Sequence, residues 1–125
     1  MKLQPDQSDV QTIRAHGPGW VGVAGEKIAH SIIIGSRGER IRWAARWEDL
    51  GPEHFEVLAG MPIEVVIFGS GSRIRFPKPA WIAPLTARRI GVETMDSAAA
   101  CRTYNILAQE GRDVAVALLL EEEAA

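Results

Sequence analysis

The order of residues predicts an α/β protein, a central sheet with helices on its faces and an extra β element at its N-terminal end. Three observations lead there. Residues 65–68, within a strand expected over 63–68, and residues 114–120 are continuous apolar runs, which suit strands covered on both sides. Residues 52–59 and 96–109 carry helix start and stop signals, with Pro52 or Asp96 at one end and Gly60 or Gly111 at the other. Ahead of both, residues 12–16 and 20–24 alternate between apolar and polar types, and glycine turns separate them from each other and from a third strand over 27–34. Three hairpin-like strands followed by strand, helix, strand, helix, strand are the pattern of a sheet covered by helices.

Taken in order, residues 1–10 are polar, contain Pro5 and two aspartates, and read as a loosely held arm. A strand over 12–16 meets the turn signal Gly17, Pro18, Gly19, and residues 20–24 return as its hairpin partner. Gly25 and Glu26 make a second tight turn. Residues 27–34 then read as one long strand ending in the β-branched triplet Ile32, Ile33, Ile34. A short strand is expected over 40–43. The helix over 52–59 has proline and Glu53 in its first turn, both favourable there, and should bury Phe55, Leu58 and Ala59. Residues 63–68 are the expected central strand, closed by Gly69 to Ser72. Residues 73–76 alternate as a short strand with Ile74 and Phe76 inward and the arginines outward. A helix over 77–89 is disturbed by Pro84. A strand over 90–95, a helix over 96–109, an αL stop at Gly111 and a last strand over 112–120 complete the chain. Glu121, Glu122 and Glu123 form an acidic tail that discourages edge pairing. The organisation expected is an arm over 1–10, one domain over 11–120 and a tail over 121–125.

Composition narrows the function classes. The 125 residues are 46% hydrophobic and 24% charged, ordinary for a globular protein, with a net charge of −2 that argues against nucleic acid. The charge is uneven: residues 27–89 hold ten Lys/Arg against six Asp/Glu, and residues 93–125 hold two against seven. Cys101 is the only cysteine, so no intrachain disulfide can form and a reducing compartment is expected. His16, His30 and His54 lack ligand-like spacing, so no metal or cofactor is expected. The apolar run at 114–120 is too short to span a bilayer, and the polar start shows no signal or transit pattern. The cytoplasm follows by elimination, without membrane insertion.

Two regions carry candidate function. The first joins the glycine-rich turn to the helix that starts at Asp96. Small residues after Asp96 permit close backbone approach, and the next turn presents Arg102, Thr103, Tyr104 and Asn105 together. A pocket between the 69–72 turn and this helix would use Gly69, Ser70, Gly71, Arg73, Asp96, Arg102 and Asn105, with backbone N–H groups facing a small anion. Arg102 and Asn105 are the expected outward pair, reaching carbonyls of that turn. The phosphate-loop and dinucleotide patterns are both incomplete here. Asp96 reads as a helix N-cap rather than a catalytic acid. Cys101, close to the positive helix end and Arg102, could be a depressed-pKa thiol, but no histidine is spaced to activate it, so no catalytic residue is assigned. The second region is Arg37, Arg40, Arg42, Trp43, Arg46 and Trp47, where arginines interleave with tryptophans. Protein docking is favoured there over stacking on RNA, given the negative net charge.

The ordered set Phe68, Gly69, Ser70, Gly71, then Arg75, Phe76, Pro77, then Gly91, Val92, Glu93, Met95, Asp96, then Ala99, Cys101, Arg102, Thr103, Tyr104, Asn105 resembles the domain of unknown function 498. This family is also called the MTH-938-like domain, and the similarity runs over about residues 10–120. The resemblance implies a three-layer α/β fold around a central mixed sheet. It implies no established reaction; the family's mitochondrial branch contains a respiratory complex I assembly factor that works through protein contacts. With no transit peptide, the chain is similar to the bacterial branch. The function expected is thus a non-enzymatic accessory or assembly role exercised on an unidentified protein partner. The alternative is a small-molecule or anion-binding domain, with or without catalysis, using the pocket at the 69–72 turn.

Overall fold

A computed structural model describes residues 10–44 and 46–120; the proposed tail and all but the last residue of the proposed arm lie outside the described residues. Two sheets form. β1 (Ala15–Gly17), β2 (Trp20–Val23) and β3 (Glu26–Ile28) make an antiparallel meander. The main sheet contains β4 (Ile32–Gly35), β5 (Arg40–Arg42), β6 (Val65–Gly69), β7 (Gly91–Met95) and β8 (Val114–Leu118), in the order β5-β4-β8-β6-β7. β6 runs parallel to β7 and β8, whereas β4 runs antiparallel to β5 and β8, so the sheet is mixed. Among the described residues the helices are α1 (Pro52–Ala59), α2 (Pro79–Ala87) and α3 (Ser97–Gln109), with a 3-10 turn at Trp47–Asp49.

Period-two alternation sends side chains to opposite faces of the main sheet. Ile32, Ile34, Ile67, Val114, Val116 and Leu118 join α3 and the small sheet in one core. Ile33, Val66, Phe68, Ala115, Ala117 and Leu119 join Phe55 and Leu58 of α1, and Trp81 and Leu85 of α2, in the other. The result is three layers, with the main sheet in the middle. Each fully buried large apolar side chain contributes about 1.5–3 kcal/mol, and Phe55, Phe68, Ile33, Ile67 and Leu118 are among them.

Two expectations need correction. The strand expected over 27–34 is two strands in different sheets. The corner between them is Ser31, whose buried Oγ accepts the Leu120 N–H at 2.9 Å and whose carbonyl accepts the Trp43 N–H at 3.1 Å. Those bonds hold the backbone to partners that a continuous β3–β4 ladder would exclude. The strand expected to be central, β6, is an interior strand between β8 and β7 and packs on both faces; the last strand, β8, takes the middle position beside it. All five β8 residues are buried, which the unbroken apolar run required once helices covered both faces. Residues 73–76 form no strand: Ile74 and Phe76 are exposed rather than inward and Arg75 folds back onto the protein, while Arg73 faces outward as expected.

Candidate functional site

The turn after β6 is tied tightly to the start of α3. Gly69 shows why the first turn of α3 is built from small residues. A Cβ at Gly69 would lie 2.7 Å from Leu118 Cδ2, 3.0 Å from Ala100 Cβ and 3.1 Å from Ser97 Cα. Ser97 N–H donates to the Gly71 carbonyl at 2.8 Å, and Ser97 Oγ accepts the Gly71 N–H at 2.9 Å while donating to the Leu119 carbonyl at 3.0 Å. Asp96 is the N-cap, its Oδ1 accepting the Ala99 N–H at 2.9 Å. That bond satisfies one of the orphan donors of the helix end and stabilises the helix by about 0.5–2 kcal/mol.

Ser70 is fully buried, and its hydroxyl is committed within the turn. Oγ donates to the Arg73 carbonyl at 2.8 Å and accepts the Arg75 N–H at 2.8 Å. The Arg75 guanidinium closes over the Ser70 carbonyl, with Nη2 at 2.6 Å, and lies 4.6 Å from the Trp47 ring centroid. This folding back is what turns residues 73–76 away from strand geometry.

A cavity of about 220 Å³ opens where this turn and the α3 start face the small sheet. Gly71, Ser72, Asp96, Ser97 and Ala98 line one side, His16, Gly17, Pro18, Gly19 and Trp20 the other, and Cys101, Leu119 and Leu120 are also in its wall. Its volume falls below the roughly 300–1,000 Å³ of drug-sized ligand sites, leaving space for a small group only. Cys101 is buried, and desolvation raises its pKa from 9.0 to about 12; Arg102 opposes the shift and Asp96 adds to it. The thiol is therefore a neutral wall group, not an activated thiolate.

Of the seven pocket residues expected from the sequence, Gly71 and Asp96 line the cavity, whereas Gly69, Ser70, Arg73, Arg102 and Asn105 do not. Asn105 is not the outward partner of Arg102. Its Oδ1 accepts the Ile13 N–H at 2.8 Å and its Nδ2 donates to the Ile13 carbonyl at 2.7 Å. Tyr104, buried beside it, donates its hydroxyl to the Gln11 carbonyl at 2.6 Å, and desolvation raises its phenol pKa. The polar cluster of α3 thus fastens the segment entering β1, a partner 92 positions away that spacing within the helix could not indicate. The β1–β2 wall of the cavity was missed for the same reason.

The arginine–tryptophan set does not form one surface. Trp43 is 9% exposed, and its indole N–H donates to the His54 carbonyl at 2.9 Å. It packs edge-on against Phe55 and Phe68, while Trp47 lies against Phe68 and Trp81. Arg37 pairs with Asp113 at 2.9 Å and Arg40 with Glu26 at 2.8 Å. Arg42 and Arg46 remain exposed. Aromatic residues were drawn inward because the small Ala115 and Ala117 of β8 leave room on that face for large rings.

Exposed apolar groups occur instead just before α2, where Phe76 is 70% and Ile74 49% exposed. The nine residues of α2 include no charged side chain, and Pro79, Ala80, Ala83, Thr86 and Ala87 all face solvent. A surface helix ordinarily has a charged outer face, so this run was a legible sequence signal. Among the described residues no helix is long and apolar enough to cross a membrane, and no group of three or more His, Cys, Asp or Glu side chains could hold a metal ion.

The family described as protein of unknown function (DUF498/DUF598) matches residues 13–119. The chain belongs to this family. Its fold is shared with a Bordetella parapertussis protein of known crystal structure, at a TM-score of 0.83 and 38% identity over 89% of this chain and 96% of that one. A Bordetella pertussis protein, described as a Mth938-like domain from its solution NMR structure, matches at a TM-score of 0.82 and 32% identity over 99% and 95%. Bovine (Bos taurus) NADH dehydrogenase (ubiquinone) 1 alpha subcomplex assembly factor 3 is 32% identical over 63% of this chain and 45% of its own length. The DUF498 chain therefore spans less than half of that assembly factor, and the resemblance read from its motifs is a true family relationship.

Proposed function

We propose that this DUF498 protein is a non-enzymatic accessory or assembly factor that works by binding other proteins. The observation that carries the reading is its similarity, over 63% of the chain, to a protein named as an assembly factor of NADH dehydrogenase. The exposed apolar pair Ile74 and Phe76 supports it physically, because solvent-facing side chains of that size outside the core are suited to a second surface. A small-molecule or anion-binding role is less well supported: the hydroxyls of Ser70 and Ser97 and one Asp96 oxygen are spent on the turn and the helix start. A lone cysteine supports work in a reducing compartment, which we take to be the cytoplasm.

Deletion of the gene in its native host tests the reading. Membranes from the deletion strain should hold less assembled NADH dehydrogenase, with unincorporated subunits accumulating and wild-type protein restoring the complex. Unchanged assembly and activity would overturn it.

A further inference from the structure

The exposed loop and the helix that follows it form a continuous segment with a second property. Between Glu64 and Glu93 the chain contains five cations (Arg73, Arg75, Lys78, Arg88 and Arg89) and no acid. Arg75 is held at the Ser70 carbonyl, but Arg73, Lys78, Arg88 and Arg89 are exposed. They lie before, between and after the apolar groups: Arg73 precedes Ile74, Lys78 separates Phe76 from α2, and the two arginines follow its C-terminal end. On the helix, Pro79, Ile82, Ala83, Thr86 and Ala87 line an open depression.

We propose that this segment is the protein's docking face, and that its occupant is a different protein with an apolar recess for Phe76 and Ile74 and a rim of Asp and Glu. The inference rests on the proposed function, since it names the kind of partner that function requires. Charge complementarity selects the occupant. A second copy docked through this segment by two-fold symmetry would set one cation-bearing, acid-free segment against its own copy, and like charges brought together oppose association. An acidic rim removes that repulsion and steers approach, while the apolar centre supplies desolvated contact. Phe76 is the anchor: it is the most exposed large apolar side chain among the described residues. Ile106 on α3 is a built-in comparison, 57% exposed but on the opposite side of the main sheet and near Glu110.

A photo-crosslinking phenylalanine analogue at position 76, expressed in the full chain in its native cell, tests the surface, with the same analogue at position 106 as reference. Cross-linking at 76 should exceed that at 106 by about tenfold, to a protein whose linked peptide contains Asp or Glu. The double variant Arg73→Glu/Lys78→Glu should abolish most of that product, and exchanging the partner's linked acids for lysine should restore it. Because these residues are exposed, unchanged thermal midpoints will show that the variants are folded. Equal cross-linking at 76 and 106, a product insensitive to charge reversal, or a product containing only this chain would each overturn the proposal. So would co-flotation with phosphatidylglycerol vesicles that is lost in Phe76→Ser, which would assign the face to lipid. If the assembly defect of the deletion strain persists while the cross-link fails, the docking face is wrong and the function stands.

Discussion

Along β8, Val114, Val116 and Leu118 meet α3 and the small sheet, whereas Ala115 and Ala117 meet the ring cluster under α1 and α2. The two sides of the main sheet are consequently built differently. Toward α3, the strand-to-helix approach is so close that Gly69 has no space for a Cβ, and part-buried side-chain hydrogen bonds from Ser97, Tyr104 and Asn105 fasten distant backbone. Toward α1 and α2, the volume is filled by Trp43, Phe55, Phe68 and Trp81, with Phe55 5.4 Å from Trp43 and 5.6 Å from Phe68 between ring centroids. Fixed polar partners specify one side; bulk and ring packing fill the other. The ring-packed side is also the one on which one of the two outer helices, α2, carries no charge.

Truncation should separate the two sides most sharply. Phe55→Ala should cost about 3–5 kcal/mol in a urea titration, since the ring is fully buried among others. A loss below about 1 kcal/mol would mean that this core is not close-packed. On the α3 side, Gly69→Val should cost about 1–3 kcal/mol or more through overpacking against Leu118 and Ala100. Asn105→Leu should cost about 1–3 kcal/mol by leaving the Ile13 N–H and carbonyl without their partner. Faster hydrogen exchange at the Ile13 amide would identify that bond as the cause. Normal exchange would remove Asn105 as the fastener.

Alkali tests the same side. Cys101 has a folded pKa of about 12 against an ordinary 9.0, so above pH 9.0 the unfolded chain releases its proton first. Its contribution is complete below pH 9.0 and declines as pH rises toward 12. Tyr104, shifted in the same direction, adds to that decline. Thermal midpoints measured across this range should fall with pH, and less steeply in Cys101→Ala. The smallest effect belongs to the docking face: Phe76→Ser should change stability by less than about 0.5 kcal/mol, as for other surface substitutions. A large loss would mean that Phe76 serves the fold rather than a partner.

Much of the architecture was legible in local pattern. α1 begins and ends where Pro52 and Gly60 indicated, and Phe55, Leu58 and Ala59 are its buried residues. Asp96 caps α3, and Gly111 follows it at a φ of 85°. Such signals act within a few residues, where sterics and capping bonds decide the backbone. The candidate sites were less legible because they depend on who is opposite. Trp43 and Trp47 interleave with four arginines in a pattern that suits a docking patch, yet rings from α1, β6 and α2 pack against them. Ile74 and Phe76 looked buried by alternation, yet Ser70 and Arg75 fold their segment outward.

By itself, then, the amino-acid order determined the element types, most of their ends, the apolar faces and the family to which the chain belongs, all being properties of neighbours along the chain. The tertiary structure alone decided that β8 takes the middle of the sheet, that Ser31 divides a run of strand into two sheets, and that Asn105 holds Ile13. The reason is physical: each of those outcomes is settled by a hydrogen bond or a packed surface contributed from elsewhere in the chain, and spacing along one segment does not encode its distant partner.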